Sequence, residues 1–205
     1  MKQIISFLLL FMGTIAFAGL PDGVPVAGRS PSKTYFIGDS RNPNDPNRDN
    51  QISIAHREHP NDYYDIYTYP RFVGLYFSPD ERYLVIDDRC GSGAVECVVL
   101  RQISKPPFFV KPRNIGEVCW ELFWSLHGKP RRVKYDHQKT YFCEWLDTAH
   151  FVVGLQGDHF FPDPGTQKWG LDGGWHCVYD IVRNKAYTSE YTDSKNEKCE
   201  FEIMN

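Results

Sequence analysis

Ser40, Asp147 and His150 have the residue types and spacing that could serve covalent catalysis. Ser40 ends the string Gly38-Asp39-Ser40, directly after the apolar run Tyr35-Phe36-Ile37. Asp147-Thr148-Ala149-His150 sets a carboxylate three residues before an imidazole. A serine hydroxyl is a poor nucleophile until a nearby imidazole takes its proton, and a carboxylate beside that imidazole orients it. A second chemistry is suggested by Asp45, Asn47 and Asp49, oxygen-bearing residues on alternate positions. With Asn50 and Ile52 they match positions 1, 3, 5, 6 and 8 of a calcium-binding loop, in which the chain wraps a hard cation. The position of the bidentate glutamate is taken by His56. The same string is dense in Asn, Pro and Asp, each of which favours turns, so a loop is the plain reading of residues 39–59.

Gly38-Asp39-Ser40 resembles the first block of the GDSL/SGNH esterases, and Asp147-Thr148-Ala149-His150 resembles their late Asp-x-x-His, in the same chain order. The resemblance implies an α/β fold with Ser40 as nucleophile, His150 as its base and Asp147 as the orienting carboxylate. Arg41 follows Ser40 where that family carries an apolar residue. The family's Gly-x-Asn-Asp block has no counterpart, since the nearest strings, in residues 42–45 and 59–62, lack the glycine.

Two further sets bear on binding. His56, Glu58 and His59 are donors for a transition metal, but Pro60 and the lack of a helical apolar stripe leave them as surface polar residues. Tyr63, Tyr64, Tyr67, Tyr69 and Phe72 form one group of rings, and Phe160, Phe161, Trp169 and Trp175 another, the latter in the Gly/Pro/Asp-rich stretch 156–174 and directly after it. Such rings serve stacking on a sugar or filling of a partner's groove, because they bury much area with few rotors. A β domain also builds its core from the same residues.

The elements that must position these groups follow from periodicity. The chain has 205 residues. Lys2, the apolar run Ile4–Met12 and Ala16-Phe17-Ala18 have the three parts of a cleaved export signal over residues 1–18. That run is shorter than the ~20 residues of a membrane span. The expected location is periplasmic or secreted. Residues 19–34 read as an extended N-terminal arm and 35–205 as one domain. Lys and Arg number 23 against 26 Asp and Glu, a net charge of −3. Nucleic-acid binders carry a basic surplus or stripe, so that class is excluded; the basic run Lys129–Lys134 reads as a solvated turn.

Cys90, Cys97, Cys119, Cys143, Cys177 and Cys199 are even in number, lie beyond the signal and contain no Cys-x-x-Cys. An exported chain with that pattern is expected to hold three disulfides. Pairing in sequence order, Cys90–Cys97, Cys119–Cys143 and Cys177–Cys199, is favoured among the possibilities.

Phe72–Phe77 and Tyr83–Asp87 read as strands about the turn Ser78-Pro79-Asp80-Glu81, with proline at the position where its φ is wanted. "FSPDERYLVI" resembles the inner hairpin of a blade in the TolB and WD40-like propellers, and that resemblance covers ten residues. Further strands are expected at 139–146, 150–155, 175–182, 185–191 and 198–204. One helix is expected near 115–127, from Asn114 with Glu117 as a capping box to Gly128 as the stop. Its core face is Cys119, Leu122, Phe123 and Leu126, and Trp120 and Trp124, four apart, extend that face to one side. The fold class is mainly β, an antiparallel sheet that is sandwich-like or partial-propeller-like, stapled by disulfides.

These readings converge on an exported, non-catalytic binding or inhibitor-type protein of the bacterial envelope, for instance one that neutralises a periplasmic enzyme. A secreted serine ester hydrolase and a calcium-stabilised carbohydrate-binding module are the alternatives. The partner is a protein or a glycan, no cofactor is expected unless residues 39–59 bind calcium, and no membrane span remains after signal cleavage.

Overall fold

The computed structural model describes residues 26–40, 50–91, 93–102, 113–128, 137–159, 169–197 and 199–203. Three antiparallel sheets follow one another along the chain. The first contains β1 (Val26–Arg29), β2 (Tyr35–Asp39), β3 (Asn50–His56) and β4 (His59–Tyr69). The second contains β5 (Phe72–Phe77), β6 (Tyr83–Arg89), β7 (Glu96–Arg101) and β8 (Arg113–Asn114). The third contains β9 (His137–Trp145), β10 (His150–His159), β11 (Trp169–Asp180) and β12 (Lys185–Tyr187), with β13 (Glu200–Ile203) also paired to β11. In each sheet sequential strands are neighbours, as short connections between antiparallel strands require. The expected mainly β, antiparallel fold is therefore found, as three antiparallel sheets. The helix α1 (Ile115–His127) separates the second and third sheets in sequence, and α2 (Glu190–Asn196) precedes β13.

Strands β6 and β7 of the second sheet are buried on both faces. Leu84, Ile86, Val98 and Leu100 face Tyr35, Ile37, Ile52, Ile54 and Tyr69 of the first sheet. Val85, Cys97 and Val99 face α1 and the third sheet's Phe151, Val153, Leu155 and Tyr179. This is why "YLVI" and "CVVL" are continuously apolar rather than alternating. Each such fully buried side chain contributes about 1.5–3 kcal/mol.

The turn joining β5 and β6 forms as its residues dictate. The Glu81 N–H donates to the Ser78 carbonyl at 2.9 Å, and Glu81 takes a left-handed φ of 59°. Ser78 Oγ donates to Asp80 Oδ1 at 2.7 Å, and Asp80 Oδ1 accepts the Arg82 N–H at 3.2 Å.

Helix α1 spans the expected residues and stops at Gly128, whose φ is 83° and whose N–H donates to the Trp124 carbonyl at 2.9 Å. Its buried face is the expected one at Cys119, Trp120, Phe123 and Trp124 and departs from it at Leu126. Ile115, Cys119, Trp120, Phe123 and Trp124 are buried, whereas Leu126 is 56% exposed. The larger rings win the interior because they remove more apolar area from water. Trp120 and Trp124 stack at 5.7 Å, and Phe123 meets Trp175 edge-on at 5.3 Å.

Two boundaries also depart from expectation. The stretch read as a strand over 185–191 keeps only β12 as strand and then turns into α2. Ser189 is the N-cap: its Oγ accepts the Thr192 N–H at 3.3 Å, and Thr192 Oγ1 accepts the Ser189 N–H at 2.8 Å. A reciprocal cap of this kind satisfies two donors that strand pairing does not reach. The long loop expected over 156–174 is shorter, because β10 and β11 continue their ladder through Gly157–Leu171, Asp158–Gly170 and His159–Trp169.

The cysteine pairing is corrected as well: all six are free thiols and none stands at disulfide distance. Asp87 lies opposite Cys97 in the β6–β7 ladder, and Cys97 points into the interior shared with α1. Cys90 has the opposite parity and sits on the side of Asp88, Glu96 and Tyr67. Two cysteines on opposite faces of one sheet cannot bond without backbone movement. Cys119 meets Cys177, not Cys143. Between Cys177 and Cys199 the chain forms the expected hairpin, β11 with β12, and then passes through α2 before Cys199.

No helix among the described residues is long and apolar enough to cross a membrane.

Candidate functional site

A cleft of about 560 Å³ opens where the second sheet meets the third. The join is a parallel bridge between Val95 and Lys139, with the Thr140 N–H donating to the Val95 carbonyl at 2.8 Å. One wall follows from the β5–β6 register, which sets Phe72 opposite Arg89 and Gly74 opposite Asp87. Phe72, Asp87 and Arg89, with the second sheet's Tyr76, line the cleft from one side. From the third sheet come Lys139 and Phe142 of β9 and Gln156 of β10.

Glycines make room for the aromatic rings. A Cβ on Gly74 would stand 2.6 Å from the Tyr76 hydroxyl, so the ring lies back over the strand and stacks on Phe142 at 4.3 Å. A Cβ on Gly154 would fall within the ring of Tyr141, which also lines the cleft. Phe72 is 58% exposed at the entrance.

The charges are arranged unevenly. Asp87, on the floor, is 7% exposed. Burial pushes its carboxyl up to about 7, against the opposing effects of the Phe142 N–H, the Cys97 thiol and Arg89. A carboxylate taken from water loses hydration that two neutral donors and one nearby cation do not restore. Arg71, Arg89 and Lys139 line the same cleft, and none of the three forms an ion pair among the described residues. Unpaired cations around a recess with aromatic walls attract anions and can bind them through hydrogen bonds. A carboxyl that titrates near neutrality can hold or release a proton there.

The residues singled out for catalysis are not assembled. Ser40 Oγ accepts the Gln51 N–H at 3.1 Å and donates to the Gln51 carbonyl at 3.2 Å, so the hydroxyl closes the end of the β2–β3 ladder. Asp39 is buried and accepts the hydroxyl of Tyr69. The structure does bring Asp147 and His150 together. His150 Nδ1 is 2.8 Å from Asp147 Oδ2, and its Nε2 is 3.4 Å from Asp180 Oδ2. Asp147 also accepts the Ala149 and His150 N–H groups at 2.7 and 2.8 Å, which hold its carboxyl below the usual range and shape the β9–β10 turn. Both nitrogens of the ring thus face carboxylates, and Ser40 has no hydrogen bond to His150.

The calcium candidates Asp45, Asn47 and Asp49 lie outside the described residues, as do Phe160 and Phe161. Asn50 and Ile52, read with that loop, belong to β3, where Asn50 Nδ2 donates to the Tyr69 carbonyl at 3.4 Å and Ile52 is buried. His56 and His59 face each other across the β3–β4 turn with ring centroids 5.9 Å apart, and Glu58 is exposed in that turn. No group of three metal-ligating side chains is found among the described residues. Trp169 is in β11, where it pairs with His159. Trp175, expected in an exposed binding loop, is 4% exposed and packs on Phe123 and His127. The β10–β11 ladder turns it inward on the same face as Cys177 and Tyr179.

The cleft residues carried one sign in sequence that pattern reading passes over. Asp87 is an ionisable residue on the core-facing parity of an apolar strand, "YLVIDD".

No family model matches the chain and no curated protein matches it. Among solved structures, a gluconolactonase from Xanthomonas campestris is similar at a TM-score of 0.37 and 14% identity, over 82% of this chain and 48% of that one. The chain thus spans about half the length of that protein.

Proposed function

We propose that the protein is an exported binding protein without catalytic activity, and that its ligand enters the cleft between the second and third sheets. The observation that carries this reading is the set of three cations, Arg71, Arg89 and Lys139, none in an ion pair among the described residues, around a recess walled by Phe72 and Tyr76. An acidic saccharide matches that set. Its carboxylates pair with guanidinium and ammonium groups, its C–H faces stack on the rings, and its hydroxyls meet Gln156 and the Asp87 carboxyl. A volume of about 560 Å³ lies in the range of small-ligand sites. An acidic side chain on a protruding loop of a partner protein is the rival occupant, as the inhibitor-type expectation requires.

The test is calorimetric titration of the purified protein with a uronic-acid trisaccharide and with its neutral counterpart. Binding of the acidic form alone, weakened by salt, supports the reading. Equal binding of both, or of neither, sinks it. Consumption of the saccharide during the titration would replace the non-catalytic claim with one in which Asp87 moves a proton.

A further inference from the structure

Cys119 sits in the middle of α1 and Cys177 in β11, 58 residues apart in sequence. Both are fully buried in the same interior cluster. Their thiols are hydrogen-bonded to each other, and the structure holds a cysteine pair at 3.6 Å. The contact is fixed from both sides. Phe123, one turn on from Cys119, packs against Trp175, two residues before Cys177 on the same strand face. A disulfide needs the sulfurs at about 2.05 Å. The remaining gap is roughly 1.5 Å.

We propose that Cys119 and Cys177 are joined by a disulfide in the oxidised protein, a covalent link between α1 and the third sheet. This inference is independent of the ligand assigned to the cleft. The chemistry is thiol–disulfide exchange with a small disulfide oxidant. One cysteine sulfur attacks the oxidant to give a mixed disulfide and release one thiol. The second cysteine then attacks the protein-side sulfur and releases the other thiol. Two electrons and two protons pass to the oxidant for each bond formed.

Burial of Cys119 keeps its thiol protonated and out of reach of the oxidant in the docked state. The bond therefore forms while α1 is still docking. Cys97 lies in the same cluster, but its thiol hydrogen-bonds to Asp87, which ties it to the cleft. Once formed, the Cys119–Cys177 bond closes a long loop in the unfolded chain and restricts its freedom.

The experiment is refolding of the full chain with a glutathione redox pair, then alkylation in denaturant without reduction, tryptic digestion and mass spectrometry. The sequence separates the relevant cysteines well. Cys119 falls in a peptide of residues 114–131, Cys177 in 169–183, and Cys90 with Cys97 in 90–101. A linked species of 114–131 with 169–183, lost on reduction, is the expected result. Alkylated Cys119 and Cys177, or Cys119 linked to any other cysteine, overturns it. As a second reading, reduction lowers the melting temperature by roughly 10 °C more in the wild type than in the Cys119→Ala/Cys177→Ala variant. Equal shifts in the two proteins count against the link.

Discussion

The backbone N–H of Phe142 donates to both carboxylate oxygens of Asp87, at 2.8 and 3.1 Å. One hydrogen-bonding group of the third sheet is thus held by a buried acid of the second, at the floor of the cleft. The acid ties two sheets together, and it does so from a position where its charge is poorly solvated.

That position makes stability depend on pH in a definite direction. The folded state raises the Asp87 carboxyl from 3.8 to about 7, so the folded protein binds this proton more tightly than the unfolded chain. The stabilising contribution is complete below the unfolded value and is lost as pH rises through about 7, amounting to at most about 4 kcal/mol. Asp87→Asn keeps an acceptor for the Phe142 N–H and removes the titration. Chemical denaturation between pH 4 and 8 is expected to show a decline in the wild type that is absent from the variant. Parallel profiles would mean that Asp87 is solvated.

The cations of the cleft give a second expectation. Arg89→Ala and Lys139→Ala each weaken binding of the acidic trisaccharide about tenfold or more, since a hydrogen bond to a charged group contributes ~1.5–3 kcal/mol. Both residues lie at the cleft surface, so melting temperatures are expected to stay close to wild type. Unchanged affinity in titration calorimetry would move the ligand elsewhere.

Trp175 distinguishes a core from a binding loop. Buried against Phe123 and His127, it is expected to cost about 3–5 kcal/mol on truncation to alanine. Denaturant midpoints measure this directly. A tryptophan waiting in solvent for a ligand would leave the midpoint almost unchanged.

Gly154 tests the seating of Tyr141. Gly154→Ala places a methyl group within the Tyr141 ring, and displacing that ring costs about 1–3 kcal/mol. Adding Tyr141→Ala removes the clash, so the double variant is less destabilised than the sum of the single ones. Strict additivity in a double-mutant cycle would show that the two positions do not touch.

The strands and α1 were legible in the sequence because the information for them is local. Alternation and apolar runs marked β5, β6, β10 and β11, Pro79 marked the turn between the first two, and Gly128 marked the helix end. Even the burial of β6 and β7 on both faces is written in their unbroken apolar strings. The Ser189–Thr192 cap of α2 was legible too, but a β-rich setting on both sides hid it.

The cleft was not legible, for a physical reason. Arg71, Asp87, Lys139 and Gln156 are far apart in the chain and share no motif. They meet because ladder register sets Gly74 opposite Asp87, a bridge joins Val95 to Lys139, and two glycines let Tyr76 and Tyr141 lie flat. The same holds for the cysteines: parity places Cys90 and Cys97 on opposite faces, while helix docking brings Cys119 to Cys177. By itself the sequence determined which segments extend, which one coils and which side chains leave water, since those depend on neighbours along the chain. Only the tertiary structure decided which charges and thiols meet, because sheet register and helix docking arise from packing across it.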